Sequence, residues 1–256
     1  MTRFIIKRNK RNPFFSIITV VKNDEKNISR TIKSIISQKF KNFEYIIIDG
    51  RSEDETIREI KKYKKKINLL SSDKDDGIYY AMNRGVNISK GKVLVFVNSG
   101  DKLNKNALKY VEKIFSSKKD IDFVFGTVKR HYTKKTILKH GFNIKRLVYN
   151  FDFATSHSVG FYLKKKAFME IGKFNTSYKC SADYDLYYRL ILNHKKKGES
   201  TKKNEVVGEV AAGGYSSSVP FINHLLEETR IRVNNKQNFI IVFLIFLNAI
   251  IKNIFK

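Results

Sequence analysis

The stretch SSDKDDGIYYAMNRGVNISKGKVLVFVNSGD, from Ser71 to Asp101, carries acids at both ends of a helix-like segment. Asp73, Asp75 and Asp76 open it, and Asp101 closes it directly after a strand-like run. Carboxylates in such places suit a metal ion, a ribose or a base. An ionised carboxylate accepts short, charge-assisted hydrogen bonds and is a hard oxygen ligand. Asp49 ends a second apolar run, NFEYIIID, and Asp183 and Asp185 lie in SADYDLYYRLIL. On a helix, residues two apart point about 200° from each other, so only one of Asp183 and Asp185 can serve a given site. These acids also have plainer uses. Asp101 could cap a helix beginning near Asn104, Asp183 or Ser181 could cap its own helix, and Asp54 reads as nothing more than such a cap.

The elements that must position these groups follow from periodicity. Apolar runs at 14–21, 42–49, 67–71, 92–98 and 121–128 predict strands. Between them, Ile28, Ile32, Ile35 and Ile36 mark a helix over 25–39, and EDETIREIKKY marks a second with a capping-box pattern at Ser52 and Glu55. Helices over about 78–89 and from Asn104 to Phe115 complete the alternation. Alternating strands and helices predict a mostly parallel central sheet with helices on both faces. Ligands of such sheets gather beyond the carboxyl ends of the strands. That rule selects Thr19–Asn23, Asp49–Ser52, Asp73–Gly77 and Asn98–Asp101, all polar or acidic. Further on, HSVGFYLKKKAFMEIG predicts a strand and a short helix, SADYDLYYRLIL a helix and EVVGEVAAGGYSSS a late strand.

The chain has 256 residues, enough for one large domain or a domain with an appendage, and its 42% hydrophobic content supports a sizeable core. Net charge is +27, which favours an anionic partner: a membrane surface, a nucleic acid or a phosphate-rich substrate. The basic residues are spread along the chain and no nucleic-acid module is present, which argues against nucleic acid. Cys180 is the single cysteine, so no internal disulfide or thiolate zinc site can form, and a reducing compartment fits. No Walker loop and no G-x-G-x-x-G occurs, so a nucleotide would be held by strand-end acids and a divalent metal. The first residues, MTRFIIKRNKRNP, do not read as a signal peptide. Near the end, FIIVFLIFLNAII is 13 residues long. About 20 are needed to span a bilayer, so a core helix or an interfacial helix flanked by Lys236, Lys252 and Lys256 is expected.

SIITVVKNDEKNISRTIKSIISQKFKNFEYIIIDGRSEDET resembles the first two strands of the family 2 glycosyltransferases, which have the GT-A fold. DDGIYYAMNRGVNISKGKVLVFVNSGD is similar to the subgroup that builds bacterial surface polysaccharides such as O-antigen, capsule and colanic acid. SHSVGFYLKKKAFMEIGKFNTSYKCSADYDLYYRL matches the acceptor-side half. The resemblance covers roughly residues 14–215. It implies transfer of a sugar from a nucleotide-sugar donor, UDP being usual, with inversion at the anomeric carbon. It places Thr19, Asp49, Asp75, Gly77, Asn83 and Arg84 at the nucleotide and donor. Asp101 matches the last acid of the family's D-x-D motif and would ligate Mn²⁺ or Mg²⁺, although in Asn98-Ser99-Gly100-Asp101 two of the three acids of the commoner D-x-D-D version are missing. Asp183 matches the Asp that deprotonates the acceptor hydroxyl. His157 falls on the acceptor side or serves the structure, and Arg189 pairs within its own helix or reaches an acceptor phosphate. Arg51 and Glu53 stand where the family has small residues, and Tyr80 where the subgroup has Asp.

The expected organisation is a basic segment 1–13, a GT-A domain 14–215 with a nucleotide-sugar half (14–101) and an acceptor half (102–215), and a helical segment 216–256. The expected activity is transfer to a lipid-linked or saccharide acceptor at the cytoplasmic face of a membrane, with the enzyme bound peripherally to anionic lipid. The rival readings are a catalytically inactive subunit or scaffold, which the eroded D-x-D allows, and a basic nucleic-acid-binding protein.

Overall fold

The computed structural model describes residues 12–149, 157–213 and 218–254. The expected basic N-terminal segment and the boundary at 215/216 lie largely outside them. Four strands form the parallel half of the main sheet: β1 (Phe15–Val21), β2 (Phe43–Asp49), β3 (Leu69–Ser72) and β4 (Val93–Phe96). Their order is β4-β1-β2-β3, so the chain reverses its direction of winding between β1 and β4. Beyond β4 lie β9 (Phe161–Lys164), antiparallel to both neighbours, then β6 (Phe123–Phe125) and β10 (Gly198–Ser200).

Alternate side chains of the buried strands feed two cores. Ile17, Val21, Tyr45 and Ile47 face α1 (Ile28–Ile36), α2 (Thr56–Lys61) and α4 (Ala107–Ser117). Ile18, Val20, Ile46 and Ile48 face α3 (Ile78–Ile88), α6 (Lys165–Glu170) and α7 (Ala182–Tyr188). On α1 the buried residues Ile28, Ile32 and Ile35 recur at the spacing of one helix face. The Ser52–Glu55 capping box does not form: α2 begins at Thr56, and the Ser52 hydroxyl is bonded to Asp49 instead.

The expected single strand over 121–128 is two strands. The chain leaves β6 at Gly126 and enters β7 (Thr127–His131), which belongs to a second sheet ordered β5-β11-β7-β8. Its other strands are β5 (Lys102–Leu103), β8 (Thr136–Lys139) and β11 (Val206–Val210). Gly126 is required by close approach, since a Cβ there would lie 2.3 Å from Val207 Cγ2.

The short α5 (Ile144–Tyr149) precedes β9 and α6, and the described chain ends in α8 (Phe221–Asn234) and α9 (Phe239–Ile254). α9 packs on α8 but buries only Val242 and Ile245. Phe239, Ile240, Phe243, Leu244, Ile251 and Ile254 are all at least half exposed, so α9 is not a core helix. Among the described residues, no helix is long and apolar enough to cross a membrane.

Candidate active site

A cleft of about 1610 Å³ opens at the carboxyl ends of β1 and β4, where the winding reverses. It is larger than the usual 300–1,000 Å³ of a small-molecule pocket, and so has room for two substrates. Its floor on the β4 side is the turn Asn98-Ser99-Gly100-Asp101. α1 holds this turn: Thr31 Oγ1 accepts the Gly100 N–H at 3.0 Å and donates to the Asp101 carbonyl at 2.8 Å, and Arg30 donates to the Gly100 carbonyl at 2.6 Å. Gly100 has a φ of +96°, a conformation that glycine adopts without strain.

Three oxygens of this turn suit a cation. Asn98 Oδ1 and Ser99 Oγ are buried without a hydrogen-bond partner. Unpaired buried groups cost about 1–3 kcal/mol each, a cost that a ligand would relieve. Burial pushes the Asp101 carboxyl up to about 7, against the Ala211 N–H and the charges of Arg30 and Arg130. Asp101 Oδ1 accepts that N–H at 3.1 Å. Asp101 does not cap α4, whose N-cap position is Asn106. Among the described residues no three His, Cys, Asp or Glu side chains converge as metal ligands. The set of one carboxylate, one amide oxygen and one hydroxyl still fits a hard divalent ion.

Asp183 lines the cleft from α7. It lies one residue inside the helix and is not the N-cap, a position held by Ser181 without a side-chain cap bond. Its Oδ1 accepts the Tyr184 N–H at 2.9 Å and the Tyr79 hydroxyl at 3.4 Å. Burial pushes its carboxyl up to about 6, opposed by the Tyr184 N–H, the Tyr79 hydroxyl and the charge of His224. A carboxylate poised near neutrality is suited to take a proton. Asp185 turns away: it accepts from Arg189 Nε at 2.8 Å and from Asn235 at 3.1 Å.

On the other side of the cleft, Asp75 sits over Gly50, where a Cβ would lie 3.0 Å from its Oδ2. Asp75 Oδ1 accepts the Gly77 N–H at 3.2 Å, and Gly77 has a φ of +139° as it enters α3. Burial raises the Asp75 carboxyl, against the Gly77 N–H and the nearby charges of Arg84 and Lys22. Asp76 is exposed at the rim. His157 also lines the cleft, half-buried.

The remaining expected residues stand behind the lining. Thr19 is fully buried and its hydroxyl pairs with Tyr45 at 3.1 Å, because β1 runs two residues further than Thr19 and the cleft takes Val20, Val21 and Lys22 instead. Asp49 is buried too. Its carboxylate accepts the Ser52 N–H at 3.0 Å, the Ser52 hydroxyl at 2.5 Å and the Ser72 hydroxyl at 2.6 Å. Arg84 donates to the Asp49 carbonyl at 3.2 Å. Asn83 makes a reciprocal pair with the backbone of Phe174, at 2.9 and 3.1 Å. Arg189 does not line the cleft. Its five N–H groups go to Asp185 and to the carbonyls of Ile171, Gly172 and Lys173, which pins α7 to the turn after α6.

Several lining residues had no signal in the sequence. Arg130 to Lys135, from the β7–β8 hairpin, form one wall, with the Arg130 guanidinium 4.9 Å from the Tyr132 ring centre. The hairpin turn lacks the Asn-Gly or Asp-Gly pair that announces such turns. Tyr79 is identifiable only as an apolar helix position; Phe174 packs on its ring at 5.4 Å.

Residues 16–185 match the family model Glycosyl transferase family 2. A PGL/p-HBAD biosynthesis glycosyltransferase of Mycobacterium bovis is 30% identical over 187 residues, 71% of each chain. A glycosyltransferase of Methanocaldococcus jannaschii, itself uncharacterized, is 26% identical over 72% of this chain and 67% of its own. Among solved structures, S. aureus TarS in complex with UDP-GlcNAc superposes with a TM-score of 0.69 at 19% identity, over 92% of this chain and 72% of that one. The mannosyltransferase PcManGT from Pyrobaculum calidifontis, solved with GDP-Man and Mn²⁺, gives 0.66 at 14% identity, over 93% and 69%. The fold is GT-A.

Proposed function

The chain belongs to glycosyl transferase family 2, and from that premise we propose that it moves a sugar from a UDP-sugar to a lipid-linked or saccharide acceptor in cell-surface polysaccharide biosynthesis. One observation carries the catalytic reading: Asp183, its carboxyl raised to about 6, lines the same cleft as the oxygen-rich turn 98–101. Ionised, Asp183 takes the proton of the acceptor hydroxyl while that oxygen attacks the anomeric carbon. The bond to the nucleotide diphosphate breaks on the opposite face, and the configuration inverts. The Tyr79 hydroxyl and the Tyr184 N–H hold Oδ1 in place for this transfer.

Asp101, Asn98 Oδ1 and Ser99 Oγ would hold the Mn²⁺ or Mg²⁺. Bound there, the ion would offset the charge on the leaving diphosphate. Asp75 and Gly77 face the nucleotide. Behind them, Asp49 orders Ser52 and Ser72, Arg84 bridges the Asp49 backbone to the Asp75 charge, and Thr19 and Asn83 brace β1 and α3. His157 stands on the acceptor side.

The exposed apolar side chains of α9, beside Lys236 and Lys252, support a peripheral seat on anionic lipid at the cytoplasmic face. A lipid-linked acceptor confined to that surface would meet a seated enzyme more often.

The test is release of free nucleotide from a panel of UDP-, GDP- and dTDP-sugars with Mn²⁺. Slow hydrolysis of at least one, lowered roughly 10²–10⁴-fold by Asp183→Asn, is expected. A wild-type protein that neither binds nor hydrolyses any member of the panel would sink the reading.

A further inference from the structure

We propose that Glu227, on α8, is a positioning residue for the base: its carboxylate fixes the turn that aims Asp183 into the cleft. This rests on the assignment of Asp183 as the base. α7 begins without a local cap, since Ser181 makes no side-chain cap bond. The three successive N–H groups of Lys179, Cys180 and Ser181 point instead at one side chain from a distant part of the chain. Glu227 Oε1 accepts from Lys179, and Oε2 accepts from Cys180 and Ser181, both at 2.9 Å. The Cys180 thiol adds a fourth bond to the carboxylate, donating to Oε2 at 3.1 Å.

Such a cradle suits an anion and little else. Burial alone would raise the Glu227 carboxyl, but the N–H groups of Lys179 and Cys180, with the thiol and the Ser181 N–H, outweigh it and hold it below the usual range. Hydrogen bonds to a charged acceptor are about twice as strong as neutral ones. The same group keeps Cys180 inert, with the thiol pushed up to about 12 by burial and by its bond to Glu227.

Tyr178, Cys180 and Ser181 of the turn are buried, and α8 with its C-cap Asn235 supplies polar contacts to it. Tyr178 accepts from Asn234 at 2.8 Å beneath the Arg230 guanidinium, and Asp185 accepts from Asn235. Those contacts hold the two sides of the turn; among the described residues, Glu227 is the side chain that hydrogen-bonds the backbone of its middle, two residues before Asp183. A carboxylate that must meet a hydroxyl within hydrogen-bond reach tolerates little displacement, and misplacing a catalytic group by about 1 Å can cost 10²-fold. Nothing in the spacing of the sequence joins Glu227 to residues 46 to 48 positions earlier.

Glu227→Gln is the test. The amide keeps one acceptor and turns a donor towards N–H groups that need an acceptor. Hydrolysis of whichever sugar nucleotide the panel identifies should fall at least tenfold in kcat. KM and the calorimetric affinity for UDP should stay within twofold of wild type, all measured at least 15 °C below the melting temperature. Glu227→Asp, which keeps the charge, should recover part of the rate. In the Asp183→Asn background, Glu227→Gln should cause no further loss, because a group that acts only through Asp183 has nothing left to position. An additive loss in the double variant, or a loss of UDP affinity equal to the loss of rate, would overturn the proposal and make Glu227 a general prop of the fold. If Asp183→Asn alone retains the rate, it is the identity of the base that fails, and the single Glu227 variants still report on the turn.

Discussion

Replacing Asp183 by Asn should cut the rate to a small residue and stabilise the protein at the same time. The amide has the shape of the carboxyl, and its Oδ1 can still accept the Tyr184 N–H and the Tyr79 hydroxyl. It cannot accept a proton, and a general base is worth roughly 10²–10⁴-fold. The stability change follows from the ionisation. Burial raises the carboxyl from 3.8 to about 6, so the folded state holds its proton to a higher pH than the unfolded chain does. The contribution therefore favours the fold below pH 3.8 and is lost as pH rises through about 6. Above that, the wild type carries the full cost of a desolvated carboxylate. About two units at about 1.4 kcal/mol each come to about 3 kcal/mol at pH 8, and to about half of that at pH 5. This is an upper bound, because the amide N–H groups are desolvated too. At about 2 °C per kcal/mol for a chain of this length, the melting temperature should rise by about 5 °C at pH 8 and by less at pH 5. Thermal melts at both pH values and nucleotide release at pH 8 measure the pair of effects. More than a tenth of wild-type turnover in the variant would show that the base lies elsewhere. Lost turnover with a melting temperature that falls at pH 8 would refute the desolvation of Asp183.

Asp101→Ala should weaken UDP binding at least tenfold with Mn²⁺ and change little with a chelator, by calorimetry; equal losses in both would assign Asp101 to the fold. Because the Asp101 carboxyl sits at about 7, protons compete with the ion below that pH, and the Mn²⁺-dependent part of the wild-type affinity should weaken as pH falls from 7 to 6. Arg51→Gly should raise stability by roughly 0.5–1 kcal/mol in urea melts, because Arg51 holds a φ of +59° that glycine adopts without strain; an unchanged midpoint would mean that its side chain contributes as much as the strain costs. Phe243→Glu with Leu244→Glu, both at least half exposed, should abolish flotation with anionic vesicles and leave nucleotide release intact; retained flotation would move attachment to the lysine runs.

The parallel half of the sheet was legible because its strands are buried on both faces and read as continuous apolar runs. The acids at their ends were legible for the same reason, since polarity returns where burial stops. Thr19 shows the limit of that logic. A polar residue inside a strand can be satisfied by a neighbour such as Tyr45, and the true end of β1 came two residues later. Of the second sheet, β11 was legible as the late strand in EVVGEV, but β5, β7 and β8 were not read as its separate strands, because they are short or half-exposed and neither the run nor the alternation is strong. Asp49 kept its place in the sequence pattern, but three serine bonds absorb its carboxylate, two from Ser52 in the turn that follows it and one from Ser72 at the end of β3. The bond to Ser72 crosses 23 residues and leaves no local trace.

Gly126 marks the passage from scaffold to wall. There the chain leaves β6 of the main sheet, where a one-residue slip would reverse every buried side chain, and enters β7 of the second. After it, β7 pairs with β11 and β8, among the described residues β8 pairs only with β7, and the exposed tip at Thr133 stands at the cleft. Lengthening a flexible tip costs only about 0.6 kcal/mol for each doubling of its length. The hairpin can therefore grow, shrink or change its charges while the strand-end acids and Asp183 keep their geometry. For redesign, the hairpin is the part of the cleft's lining that can be exchanged while the main sheet stays as it is.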